Sequence, residues 1–172
     1  MEIKRKKMKN RKRGSQNPPT PLPSLSKEFE RKIIGEYGGR RIIRVIQKHL
    51  TETDVSKGHS RITIPCTQVE SFNFLDGEEM TNLRLGRSIT VPLIHTPIEN
   101  GMSLPLSETS LEFGQWNLHK GKNDLQKVSY QYVLKTNWNT IVKTDDLRKK
   151  DHVQIWAFRD VHNQLCMALV KL

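Results

Sequence analysis

SYQYVLKTNWNTIVKTDDLRKKDHVQIWAFR, residues 129–159, reads as a strand, a short helix and a second strand. In the first strand Tyr130, Tyr132 and Leu134 share one face at period two, and the aromatic and β-branched content suits a half-buried pleat. Asn137 stands at an N-cap position, followed by Trp138, Ile141 and Val142 at i, i+3 and i+4, with Leu147 closing the apolar unit. The polar run 145–150 interrupts the pattern. Beyond it Val153, Ile155 and Ala157 alternate with Gln154, Trp156 and Phe158, so large apolar groups occur at both parities. A strand of that kind is covered on both faces and is expected at the centre of a sheet.

The pattern S-Y-x-Y-V-L-x-x-x-W-N-x-x-V-x-x-x-x-L-x-x-x-D-x-V-x-I-W-x-F-R resembles the C-terminal half of the plant B3 DNA-binding domain. The resemblance extends upstream to Val45-Ile46-Gln47-Lys48 and Ser60-Arg61-Ile62-Thr63-Ile64-Pro65, and downstream to Cys166–Val170, so that it covers residues 40–172. One position departs: the family usually carries Gly before the Asp that precedes the last strands, and here Lys150 stands there. If that turn is left-handed, a non-glycine residue costs about 1 kcal/mol.

A chain of 172 residues suits one domain and a tail. Residues 1–13 hold eight lysines and arginines against Glu2, which accounts for +7 of the formal +11, so the net charge alone does not show that the folded part binds a polyanion. This block reads as a nuclear localisation signal that engages an import receptor; a mitochondrial presequence would need an apolar face between the charges. Residues 14–25 contain four of the eight prolines and are expected to complete a disordered tail and linker over 1–25. Residues 26–39 are expected to hold a short helix with Phe29, Ile33 and Ile34 on one side, leading into the domain. Cys66 and Cys166 lie a hundred residues apart without a metal-binding or secretory pattern and read as free thiols. The longest apolar run, Cys166–Val170, is far below the roughly 20 residues of a membrane helix, and the chain is expected to have no membrane partner.

Strands are expected at 41–50, 61–65, 88–93 and 110–117, with a turn-rich loop at 51–59, a short helix within 66–74, a polar loop at 76–87 and a long insertion at 94–105 around Asn100-Gly101. Short strands without a repeated βαβ spacing predict a mostly antiparallel β architecture. The resemblance implies a seven-stranded open β-barrel, the B3 pseudobarrel, with two short helices.

No catalytic pattern stands out. The six histidines are dispersed, and there is no HExxH, GxSxG, GxxxxGK or GxGxxG motif. The chain is therefore read as no enzyme, with no catalytic residue, cofactor or metal site. Two polar, basic loops carry the alternative. Loop 48–61 offers Lys48, Lys57 and Arg61 for phosphates, Arg61 also for a guanine edge, Thr51, Thr53 and Ser60 for phosphate oxygens, and Asp54 for a cytosine amino group. Loop 116–129 offers Asn117, His119, Lys120, Lys122, Asn123, Lys127 and Ser129. In the B3 family the corresponding arms grip the major groove of double-stranded DNA, so the resemblance implies a sequence-specific, nuclear transcription regulator working with transcriptional co-regulators. The second arm is longer here than the compact arm of better-known members. The competing expectation is a degenerate barrel that serves as a protein-interaction module, favoured by Glu52, Asp54 and Asp124 within the arms. A third, the recognition domain of a restriction-type endonuclease, lacks the carboxylate and lysine constellation for cleavage.

Overall fold

The computed structural model of the chain describes residues 25–118 and 129–172. The basic block, the proline-rich stretch to residue 24 and most of the second arm lie outside them. The first apolar residues build the outer layer. Ser26 caps a helix α1 (Lys27–Arg31), which continues as a wider turn over Lys32–Glu36 and buries Phe29 and Ile33. The turn closes at Gly39, whose N–H donates to the Ile33 carbonyl at 2.8 Å, a packing so close that a Cβ would fall 2.3 Å from the Ile33 side chain.

Strand β1 (Arg40–His49) leads into the short helix α2 (Glu52–Val55) and strand β2 (Arg61–Pro65). A 3₁₀ turn at Cys66–Gln68 and helix α3 (Gly77–Arg84) precede β3 (Ile89–His95). A small hairpin, β4 (Ile98–Glu99) and β5 (Met102–Ser103), turns at Asn100-Gly101, both with positive φ, as an Asn-Gly pair favours. Then come β6 (Ser107–Leu118), β7 (Ser129–Lys135), helix α4 (Trp138–Thr144), β8 (His152–Arg159) and β9 (Leu165–Lys171). Seven strands form one curled, open half-barrel in the order β1-β8-β9-β3-β6-β7-β2. All neighbours are antiparallel except β3 and β9, which run parallel through Leu93↔Met167 and Ile94↔Ala168.

Each face of this sheet has its own core. Inside the curl lie Val45, Ile62, Ile64, Phe113, Tyr132, Trp138, Ile141, Ile155 and Met167. Outside it, Leu25, Phe29 and Ile33 pack on Ile94, Phe158, Cys166, Ala168 and Val170. Tyr37 adds an edge-on contact with Phe158 and donates its hydroxyl to Glu108. Strand β8 is hydrogen-bonded on both sides and sends Val153, Ile155 and Ala157 inward and Phe158 outward, as its double-parity pattern predicts.

Several local expectations are corrected. The polar stretch 76–87 is not a loop but α3, held by a reciprocal capping box between Asp76 and Glu79. Glu79 also pairs with the buried Arg159, whose Nη2 donates to the Phe74 carbonyl at 2.7 Å. Besides α1, the short helix expected in 26–39, the described residues contain three α-helices where two were expected in the barrel, and the insertion at 94–105 is the end of β3 plus the small hairpin. Asn137 precedes α4 but leaves the helix uncapped: its backbone is left-handed (φ 65°) and its side chain donates to the Ser110 carbonyl at 3.0 Å. Lys150 is left-handed too, at φ 75°, the conformation in which glycine is at ease.

Candidate nucleic-acid interface

The first arm is built from its closing contacts outward. The edge strands β1 and β2 are joined by no ladder; instead the Lys48 Nζ donates to the Thr63 carbonyl at 2.8 Å and pairs with Asp54 Oδ2 at 2.8 Å. Asp54 also accepts from the Thr51 N–H at 2.9 Å, the Thr63 N–H at 3.1 Å and the Thr63 hydroxyl at 3.3 Å. Burial, the largest single influence on this carboxyl, pushes it up, but hydrogen bonds and charge from Lys48, with the Thr51 and Thr63 amides, hold it below the usual carboxylate range. One buried carboxylate thereby caps α2, clamps the arm and bridges the open seam of the barrel.

Two of the expected DNA contacts are therefore interior. Asp54 is 0% exposed and presents no atom to a base edge, and Lys48, 9% exposed, is spent on Asp54 and Thr63. The physical reason is that ionisable groups at a seam are retained inside only when they are paired and hydrogen-bonded. Thr51 turns its hydroxyl to the Asp54 N–H at 3.3 Å, and the half-buried Thr53 sits within α2. Ser60, at φ 51°, donates to the Lys57 carbonyl at 2.8 Å. Asn139 completes this turn, its Nδ2 donating to the Lys57 carbonyl at 3.1 Å and to the Ser60 hydroxyl at 2.8 Å. Trp138 beside it donates its indole N–H to the Asp54 carbonyl at 2.7 Å. The Trp138-Asn139 pair, noticed in the sequence only as a pattern, is thus the pedestal of the first arm.

Outward on this arm are Thr51, His59, Ser60, the carboxylate of Glu52, which pairs with Lys149 at 3.4 Å, and two cations. The Lys57 side chain is exposed and has no ion-pair partner among the described residues. Arg61 is half-buried, and its guanidinium lies 4.4 Å from the Trp116 ring centroid. In the sequence Trp116 falls both at the end of a strand and at the start of loop 116–129, and no role was assigned to it. Asn117 is exposed and accepts from Gln115 Nε2 at 3.1 Å, while the half-buried Ser129 faces Leu118 across the β6–β7 ladder where the second arm is rooted. His119, Lys120, Lys122, Asn123 and Lys127 lie outside the described residues. The roots of the two arms lie at opposite ends of the β2-β7-β6 strip, roughly 20 Å apart at about 3.3 Å per residue.

Among the described residues no cluster of three or more His, Cys, Asp or Glu is placed to hold a metal ion, and no helix is long and apolar enough to cross a membrane. His95 and Asp145 form a buried pair at 2.7 Å, with Thr109 2.9 Å from the other ring nitrogen; this chain ties β3 to α4 and β6.

A family model described as B3 domain-containing protein At2g31720-like matches residues 24–172. The B3 domain-containing protein At3g49610 of Arabidopsis thaliana is 32% identical over 154 residues, covering 87% of this chain and 44% of that protein. The B3 domain-containing protein At2g32645 of the same plant is 26% identical over 125 residues, covering 71% of this chain and 61% of that protein. The chain thus spans about half the length of these relatives. Among solved structures, the Arabidopsis FUS3-DNA complex is similar at a TM-score of 0.44 and 19% identity, over 74% of this chain and 96% of that one. The family match begins at residue 24, beside the Leu25 that opens the outer core, and runs through the last strand. On that match, which covers every described residue, the chain belongs to the family of B3 domain-containing proteins.

Proposed function

We propose that this chain binds double-stranded DNA in the major groove through its two arms and acts in the nucleus as a sequence-specific transcription regulator, without catalysis of its own. The observation that carries this reading is the first arm: a turn locked from beneath by Asp54, Trp138 and Asn139, with Lys57 and Arg61 left facing outward at the edge of a rigid sheet. Membership of the B3 family supports it. In this reading Lys57 neutralises a phosphate, Arg61 reads a base edge, and Asn117, His119, Lys120, Lys122, Asn123, Lys127 and Ser129 supply the second grip. Lys48 and Asp54 act by shaping the arm. Residues 1–13 add non-specific attraction to DNA and engage an import receptor, and residues 25–172 form the folding unit, because the outer core needs Leu25, Phe29 and Ile33.

The test is selection from a random duplex pool with the full chain and with Arg61→Ala. One enriched motif, relaxed at a single base position by Arg61→Ala, supports the reading. A pool that stays random overturns it and favours the interaction module, although the burial of Asp54 removes one of the acids that this alternative needs at the surface.

A further inference from the structure

We infer that Trp116 is a positioning residue that holds the Arg61 guanidinium in its reading orientation before DNA arrives, making one reader of the two arms; this rests on the DNA-binding reading above. Arg61 opens β2 and Trp116 lies near the end of β6, with β7 between them. Their partners on β7 are Lys135 and Gln131, four residues apart. Both face outward: the inward parity belongs to Ile62, Ile64, Leu134, Tyr132 and Phe113. The side chains therefore reach toward each other along the outer face, across Val133 and the bare backbone of Gly114. Val133 is 0% exposed although it belongs to neither core cluster, as expected if a stacked pair lies over it.

Three features distinguish this stack from an incidental surface contact. The separation of 4.4 Å is well inside the range of cation–π attraction. The Arg61 Nη1 donates to the His59 carbonyl at 3.3 Å, which fixes rotation within the plane. The Nε is buried and has no hydrogen-bond partner among the described residues, an uncommon state for a buried donor that calls for an explanation. With the Trp116 ring against the guanidinium, Nε covered and one Nη1 N–H given to His59, the N–H groups left for an acceptor are those of Nη2 and the second of Nη1. A planar fork held edge-outward matches the O6 and N7 acceptors of guanine. The rotamer freedom of a long side chain is then surrendered on folding and not on binding.

The test measures affinity of the full chain for the selected duplex and for versions substituted at each position, at several salt concentrations. Trp116→Leu is expected to reduce discrimination at the base read by Arg61 by about tenfold, within the lower part of what one such contact supplies. It should leave the other positions and the slope of log K against log salt unchanged, because no phosphate contact is lost. Trp116→Phe should restore most of the discrimination, and Trp116→Leu added to Arg61→Ala should cost nothing further. Loss of discrimination at a different base, a shallower salt slope, or additivity in the double variant would overturn the inference and make Trp116 an independent contact. Wild-type protein that does not discriminate among duplexes would bring down the DNA reading itself, and this inference with it. Equal urea midpoints for wild type and Trp116→Phe guard against a folding artefact.

Discussion

Asp54→Ala is expected to be among the most damaging single changes in this protein, and for a reason other than DNA contact. The substitution leaves the Lys48 ammonium, with its side chain 7% exposed, facing only the Thr63 carbonyl, and strands the amides of Thr51 and Thr63. Breaking a buried pair from one side costs about 3–5 kcal/mol. That is a fifth or more of the roughly 5–15 kcal/mol that holds a typical domain together. Lys48→Met is expected to cost less, about 1–3 kcal/mol, because Asp54 keeps donors from Thr51 and Thr63. The double variant removes both charges and should be more stable than the sum of the single losses by about 1–3 kcal/mol. Urea unfolding followed by tryptophan fluorescence reads all four proteins. The pH dependence has a definite sign. The folded carboxyl of Asp54 lies below its ordinary value, so its contribution is complete above the unfolded value near pH 4 and drains away as pH falls through the folded value. Asp54→Ala should therefore lose part of the acid sensitivity of the wild type. Additive single costs, or a loss below about 1 kcal/mol for Asp54→Ala, would refute the seam as a coupled, buried network.

Three further outcomes follow from separate places in the fold. Lys150→Gly relieves a left-handed backbone at φ 75°, and since glycine also enlarges the unfolded ensemble, a net gain of about 0.5 kcal/mol is expected in chemical denaturation; a loss would mean that the Lys150 side chain holds the turn. Glu79→Ala strips the buried Arg159 of its carboxylate and opens the capping box of α3, and should cost about 3 kcal/mol by the same assay. Burial pushes the Cys166 thiol up to about 12, whereas Cys66 is half-exposed, so a thiol reagent at neutral pH should label one cysteine in the native protein and two in denaturant, as mass spectrometry would show.

Where local pattern and global fold agree, the sequence was readable. The double parity of β8 and the Trp138-Ile141 stripe each carry their own signal at short range, whereas the Asn100-Gly101 hairpin was submerged in what read as an insertion. Helix α3 was not legible because its apolar content is little more than Met80 and Leu83, and its support comes from Arg159, eighty residues away. The parallel β3–β9 pairing rests on two residue pairs far apart in the chain and has no local signature. In the first arm a Thr-x-x-Asp capping box was present at Thr51 and Asp54, yet Lys48 and Asp54 read as surface polar groups because only closure of the β1–β2 seam buries them. Trp116 was assigned no role for a related reason: its partner Arg61 sits two strands away.

The central claim, that the outward cations of a rigid arm engage a DNA backbone while Arg61 reads a base, is tested most directly by the salt dependence of binding to the selected duplex, with Lys57→Ala and Arg61→Ala beside the wild-type chain. The account predicts a steep fall of log K with log salt. Lys57→Ala should make that slope shallower by about 1 and weaken all duplexes alike. Arg61→Ala should cost about 1–3 kcal/mol at one base position only. Binding that ignores salt and is indifferent to both substitutions would contradict it.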